Sequence, residues 1–323
     1  MTFKRTLKYT SLTNSLILGG ILAIFNCGLT QSVFAQTLTP IRAAYVPAAT
    51  WLPAWVAKDK GIFENNGLDV TLTPIQNLSL LPGAVGKQFD FAASTPPDLI
   101  KAFSSGIDVV ATTGGVYEDT GHQSIQLIVK KDSGISSIKD LKGKIVATPS
   151  LGAIMHIATL EWFKKNGGDP STIRGIEVPF PNMGDQLKAS RVDAIEAIQP
   201  FVGKLLSQPE YIGIGNPLLE VDNPTLFTFW IAQGQWAKSN APIVKKWTTS
   251  LNQAIDFINK NPAEARVIMA KYTNLPPAVV NTIPFPAYSV ALKPAQMNTW
   301  TTVLRNLDMI SQPVDASKLI FNP

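Results

Sequence analysis

The chain has 323 residues, 45% of them hydrophobic and 16% charged, an ordinary globular composition that supports a sizeable core in one large domain or two lobes. Its formal net charge of +5 comes mostly from the first 35 residues, which hold three basic and no acidic side chains; the remainder carries 25 basic against 23 acidic residues. With no basic run and no alternation of basic with aromatic residues, nucleic acid is not an expected partner.

At the N-terminus Lys4, Arg5 and Lys8 precede an apolar run, LILGGILAI, at residues 16–24. Val33-Phe34-Ala35 then offers small residues at the two positions a signal peptidase reads. The run is short for a membrane span, so residues 1–35 read as a cleaved signal peptide, with Gln36 first in an exported, periplasmic protein. A rival reading makes Cys27 a lipidated cysteine, but the preceding Phe25 and Asn26 are bulky where such signals want small residues. Cleavage after Ala35 removes the only cysteine, and with it disulfides, thiolate metal sites and thiol nucleophiles.

Residues 41–46 (IRAAYV) predict a first strand, and the loop leaving it contains Thr50 and Trp51. A helix follows from about Pro53, then an alternating strand at 68–73 (LDVTLT), with Gln76 and Asn77 in the loop behind it. A short helix at 80–85 leads to a strand at 89–93 and a turn, Ser94-Thr95-Pro96-Pro97-Asp98, in which Ser94 or Thr95 caps the next helix. A fourth strand spans 109–112, with Gly114 and Gly115 loosening the loop after it, and a fifth spans 126–130. Strand–helix alternation of this kind predicts a mostly parallel sheet covered on both faces, with the ligand beyond the strands' carboxyl ends.

A second unit of the same kind begins near Lys131. Its centre is KIVAT at 144–148, a buried-strand pattern broken by Pro149, Ser150 and Gly152 before a helix opens at Ala153. Backbone N–H groups at such a helix start can hold an anion or a polar head without a charged side chain. A strand near 176–179, a helix opened by Asn182 and Met183, and a helix end and strand over 191–198 closing on Gln199-Pro200-Phe201 follow. After an aromatic strand at 226–232, three helical stretches at 241–259, 262–272 and 294–310 complete the chain, with no further sheet expected.

WVAKDKGIFENNGLDVTL, from Trp55 to Leu72, resembles a segment of bacterial substrate-binding proteins for nitrate, sulfonate, taurine and thiamine precursors, and DSGISSIKDLKGKIVA, from Asp132 to Ala147, resembles that family's entry into its second lobe. The resemblance covers residues 41 to about 307. It implies an α/β, two-lobed periplasmic-binding-protein type II fold, with the ligand cleft between lobes and two crossover strands. Lobe 1 would comprise residues 36–130 plus 226–323 and lobe 2 residues 131–225, with crossovers at 127–130 and 227–231. The implied role is the extracytoplasmic component of an ABC importer, without cofactor, metal or catalysis. A monomer would close on a small-molecule ligand and deliver it to a membrane permease and its ATPase. Family members often carry Trp-Glu-Pro where this chain has Gln199-Pro200-Phe201, a departure that speaks against an amine-bearing ligand such as taurine.

The candidate ligand-binding residues are therefore Thr50, Trp51, Gln76, Asn77, Ser94, Thr95, Gly115, Ser150, Gly152, Ala153, Asn182, Met183, Gln199, Phe201 and Phe229. Phe229 and Trp230 alternate on one strand, so only one of them can face the cleft. His122 lies in a polar loop beside Glu118 and Asp119, and His156 lies a turn into the helix after Gly152. Two histidines without a cysteine make a poor zinc site. No arginine lies in a predicted strand-end loop, so an anion would depend on backbone N–H groups at 150–153 and 94–95. Sulfonate, nitrate, small carboxylate and pyrimidine ligands all fit this pattern. The alternatives are an enzyme acting on a small metabolite with the same fold, or a ligand-sensing partner of a membrane receptor. The chain has no GxSxG elbow, phosphate loop or histidine–carboxylate cluster to favour the enzyme.

Overall fold

A computed structural model describes residues 37–323. The expected signal peptide, its expected cleavage after Ala35 and the Cys27 alternative lie outside these residues. No helix among the described residues is long and apolar enough to cross a membrane.

Among the described residues, eleven strands form two sheets. They are β1 Thr39–Tyr45, β2 Leu68–Pro74, β3 Phe91–Ser94, β4 Val109–Glu118, β5 Ile125–Lys130, β6 Ile145–Thr148, β7 Arg174–Glu177, β8 Ala194–Ile198, β9 Tyr211–Gly215, β10 Thr225–Gln233 and β11 Ala287–Tyr288. The first sheet runs β11-β4-β10-β3-β1-β2 and the second β7-β6-β8-β5-β9. Parallel pairing joins β2, β1 and β3 in one sheet and β7, β6 and β8 in the other, as the strand–helix alternation predicts. The sheets are nonetheless mixed, because β10 runs antiparallel between β3 and β4, and β5 antiparallel between β8 and β9. Both strands enter their sheet from the other sheet, β5 through residues 119–124 and β10 through residues 216–224 with their short helix Pro217–Val221, so they need not share the direction that a βαβ crossover within one sheet imposes.

The chain leaves the first sheet after Glu118 and enters the second at Ile125; it leaves the second at Gly215 and returns at Thr225. β5, grouped with the first lobe on sequence, therefore hydrogen-bonds wholly within the second sheet. We propose that the lobe boundaries fall in the two connections 119–124 and 216–224, rather than within the strands at 127–130 and 227–231. Gly114 and Gly115 also move: they lie inside β4, not in a loop after it. A Cβ at Gly114 would sit 2.4 Å from the Ser289 carbonyl oxygen, and one at Gly115 would sit 2.6 Å from that of Thr228. These glycines admit neighbouring backbone, which removes Gly115 as a ligand loop.

The first lobe's core is built on aromatic side chains. Trp247, from the helix Ala241–Lys260, stacks between Phe91 at 4.4 Å and Phe63 at 4.9 Å between ring centroids. Trp230 of β10 meets its edge at 5.0 Å, and Trp51 in turn meets Trp230 at 4.8 Å. A continuous aromatic path thus leads from the centre of the lobe to the loop after β1. The second lobe buries separate clusters on the two faces of its sheet, one around Leu127, Val129 and Phe163 and one around Ile128, Leu187 and Ile195. Alternate residues of β5 serve each cluster, as a strand with both faces covered requires.

Candidate functional site

The strand ends of the two sheets converge on a small cleft with a cavity volume of about 70 Å³. The first lobe contributes Thr50 and Trp51 after β1, Gln76 to Ser79 after β2, Thr95 and Asp98 after β3, and Phe227 and Thr228 from β10. The second contributes Pro149, Ser150 and Ala153 to Met155 after β6, Phe180 after β7 and Ile198 at the end of β8. All but the β10 pair belong to the carboxyl ends of parallel strands, where the α/β rule places a ligand.

Seven of the residues chosen from sequence line this cleft: Thr50, Trp51, Gln76, Asn77, Thr95, Ser150 and Ala153. Ser94 is buried inside β3, with its hydroxyl 3.4 Å from the Thr95 carbonyl. Gly152 is turned away, its carbonyl accepting a hydrogen bond from the Lys101 ammonium. The helix expected to open at Asn182 starts at Phe180, which leaves Asn182 exposed and packs Met183 into the second lobe's core. Gln199 accepts from the Gly203 N–H of the helix Phe201–Leu206 at 3.2 Å. Phe201 stacks on Phe180 at 6.1 Å and so backs the wall that Phe180 forms. In β10 neither aromatic of the alternating pair reaches the cleft: Phe229 is fully enclosed, Trp230 joins the aromatic path, and Phe227 and Thr228 line the cavity.

Of the backbone N–H groups expected to cradle an anion, those of residues 151–153 are already satisfied by the chain. The Leu151 N–H donates to Glu177 Oε1 at 2.8 Å, the Gly152 N–H to His156 Nδ1 at 3.0 Å and the Ala153 N–H to the Ser150 carbonyl at 3.2 Å. The other helix start, Pro96–Ser104, opens with two prolines and offers no N–H at either position. His156 is therefore an acceptor that fixes the turn. Burial, reinforced by the nearby Lys101 charge, lowers its pKa to about 4 and keeps the ring neutral. His122 instead bonds Asp119 in the exposed turn after β4, outside the cleft.

Across the mouth the rims touch. Asn77 Nδ2 donates to Ser150 Oγ at 3.3 Å, and Lys101 reaches from the first lobe to the Gly152 carbonyl. Inside, the polar corner is one the sequence reading missed. Asp98 is 3% exposed and accepts from Thr95 Oγ1 at 2.7 Å and Ser79 Oγ at 3.0 Å. Its sequence signal was the spacing Thr-x-x-Asp across a helix start, which reads equally well as a simple cap.

Below the cleft floor, Glu196 sits in the centre of β8 with no exposure. Burial pushes its pKa from 4.5 up to about 7, against the opposing pull of the Thr148 and Thr159 hydroxyls. Because the folded value lies above the unfolded one, the stabilisation from the protonated acid is complete below pH 4.5 and is lost as pH rises through about 7. Glu196→Gln is accordingly expected to gain on the wild type by about 3 kcal/mol between those limits, read from urea unfolding at a series of pH values. A constant difference across the series would show that Glu196 is ionised in the folded chain.

A family model described as NMT1/THI5 like matches residues 49–265. A Brachyspira hyodysenteriae protein, provisionally named as an ABC transporter periplasmic binding protein, is 32% identical over 95 residues, a match spanning 24% of this chain and only 27% of that relative. Among solved structures, the alkanesulfonate-binding protein of Xanthomonas axonopodis bound to MOPS superposes with a TM-score of 0.75 at 20% identity, covering 88% of this chain and 99% of that one. The periplasmic nitrate-binding protein of Synechocystis superposes with a TM-score of 0.70 at 12% identity, covering 86% of this chain and 84% of that one. At these identities the superpositions establish a shared two-lobed fold.

Proposed function

Because the chain belongs to the NMT1/THI5-like family, we propose that it is the extracytoplasmic solute-binding component of an ABC importer. The observation that carries this reading is the cleft itself. It lies between two sheets joined only through the connections 119–124 and 216–224 and through packing, so the lobes can hinge. Its walls are Trp51, Phe180, Phe227, Ile154 and Ile198, an apolar enclosure with a few convergent polar groups. A ligand between these walls bridges the lobes and favours the arrangement in which Asn77 meets Ser150 and Lys101 meets Gly152. A membrane permease would then read the closed rims and accept the solute, with its ATPase supplying the energy. The protein would act as a monomer and would bind without catalysis. The names of the related proteins support sulfonate, nitrate and similar small solutes as the compounds to try first.

Thermal unfolding of the chain from Gln36 against sulfonates, nitrate, small carboxylates and pyrimidines tests the reading. A ligand at a hundred times its dissociation constant should stabilise the protein by roughly 2.7 kcal/mol. Chemical conversion of a bound compound, or the absence of any stabilising compound across all four classes, would overturn it.

A further inference from the structure

We propose that Glu161 and Asn306 form a latch behind the cleft that sets how readily the two lobes close, at a place no ligand touches. The proposal rests on the reading of the chain as two hinged lobes and adds a determinant of affinity outside the cleft walls.

The helix Ile154–Lys165 of the second lobe reaches from the cleft to the end of the first lobe's helix Pro294–Asn306. Its opening residues, Ile154 and Met155, line the cleft, and the Gly152 carbonyl just before it meets Lys101 at the rim. Toward its other end Glu161 and Lys164 both reach Asn306, and none of these three residues lines the cleft. One rigid element thus carries both the rim contact and a second contact between the lobes.

The way the helix Pro294–Asn306 ends prepares this second contact. The chain turns back at Asp308, with φ at 55°, and the Asp308 and Met309 N–H groups donate to the Arg305 and Leu304 carbonyls at 3.0 and 2.8 Å. This Schellman closure leaves the Asn306 carbonyl to another donor, and the Lys164 ammonium supplies it from the other lobe. A cation at a helix C-terminus is favourable for its charge as well. Leu307 and Met309, placed by the same turn, pack against the second lobe's cluster of Leu160, Trp162 and Phe163.

Glu161 opposes these attractions. It is 3% exposed; Oε1 accepts from Asn306 Nδ2 at 3.2 Å, and Oε2 is enclosed without a partner among the described residues. The lysines a turn further on are engaged elsewhere, Lys164 with the Asn306 carbonyl and Lys165 with that of Glu220. A buried carboxyl with half of its acceptors unmet is costly, and the cost ends once water reaches it. Its donor belongs to the other lobe, so opening withdraws Asn306 and the packing beside it and solvates the acid. Closing therefore combines a favourable Lys164 bond and apolar contact with the unfavourable enclosure of Glu161. That balance keeps the empty protein from shutting before a ligand bridges the cleft.

The chain from Gln36 contains no cysteine, so Leu80→Cys and Asn182→Cys, at exposed positions on the two lobes, can carry spin labels. Their separation, measured by pulsed electron resonance, reports closure without any ligand. In this background Asn306→Leu, similar in size, removes the donor while still shielding Glu161. It should lower the ratio of closed to open protein by about tenfold, the effect of stranding one buried polar group. Glu161→Leu removes the acid and leaves the exposed Asn306 amide to water, and should raise the ratio by a similar factor. The double variant should follow Glu161→Leu, because no carboxyl is left to strand. Where the wild type is wholly open or wholly closed, the variant that pushes the other way still reports. An interface that merely packs would be loosened by both substitutions. A shift of either variant against its expected direction, or no shift in both, would overturn the latch. Neither result touches the solute-binding reading, which falls only with the four-class panel or with turnover.

Discussion

Glu118→Ala is expected to destabilise the protein by about 3 kcal/mol and to alter ligand affinity without touching the ligand. Glu118 ends β4, is fully buried, and lies where the chain leaves the first sheet. Its carboxyl accepts from the Ser124 N–H at 2.9 Å, from the Ser124 hydroxyl, and from Asn216 Nδ2 at 2.8 Å. Ser124 is the last residue before β5 on the outgoing connection, and Asn216 is the first residue after β9 on the returning one. One side chain therefore ties both passages between the lobes, and truncating it strands three buried donors at the hinge. Urea unfolding measures the loss, and titration with whichever ligand the panel identifies measures the change in closure. Burial raises the Glu118 pKa from 4.5 to about 7 despite those donors. With the folded value above the unfolded one, its contribution is whole below pH 4.5 and lost as pH rises through about 7. Glu118→Gln should flatten that portion of the stability curve. An alanine variant as stable as the wild type would show that the two connections are held by their backbone alone.

A loss of about 3–5 kcal/mol is expected for Trp247→Ala, the range found for truncating a large buried aromatic. Trp247 fills the space between Phe63 and Phe91 and supports Trp230, which supports Trp51 at the cleft. The variant should lose affinity as well as stability, because the Trp51 wall loses its backing. Phe227→Ala should cost both, since Phe227 lines the cleft and is also buried in the core. Phe229→Ala should cost stability and leave binding nearly unchanged, since Phe229 lies wholly in the core. Equal binding losses for the two phenylalanines, by calorimetry, would contradict the register of β10.

The alternation of short β-branched runs with helical spacing determined, by local propensity and period alone, that this chain makes α/β units and where most strands lie. Trp51 and Ser150 were legible as cleft residues because strand-end loops of a parallel sheet must converge at one edge. Strand β9, YIGIG, was not legible: its glycines carry little strand signal, and their reason lies in Gln126 and Trp162, whose side chains would meet a Cβ at 2.8 and 2.6 Å. Pairing decided that β5 belongs to the second sheet and that Gly115 sits within β4, since hydrogen-bond partners distant in sequence leave no local trace. The site's chemistry was likewise a tertiary matter. Backbone N–H groups at 151–153 looked available until Glu177, His156 and the Ser150 carbonyl were seen to occupy them. Asp98 looked like part of a helix start until Ser79, from another loop, directed its hydroxyl to the same carboxylate at the cleft wall. Periodicity reports which way a side chain faces along its own element, but which charge meets an incoming ligand depends on neighbours that only the folded chain brings together.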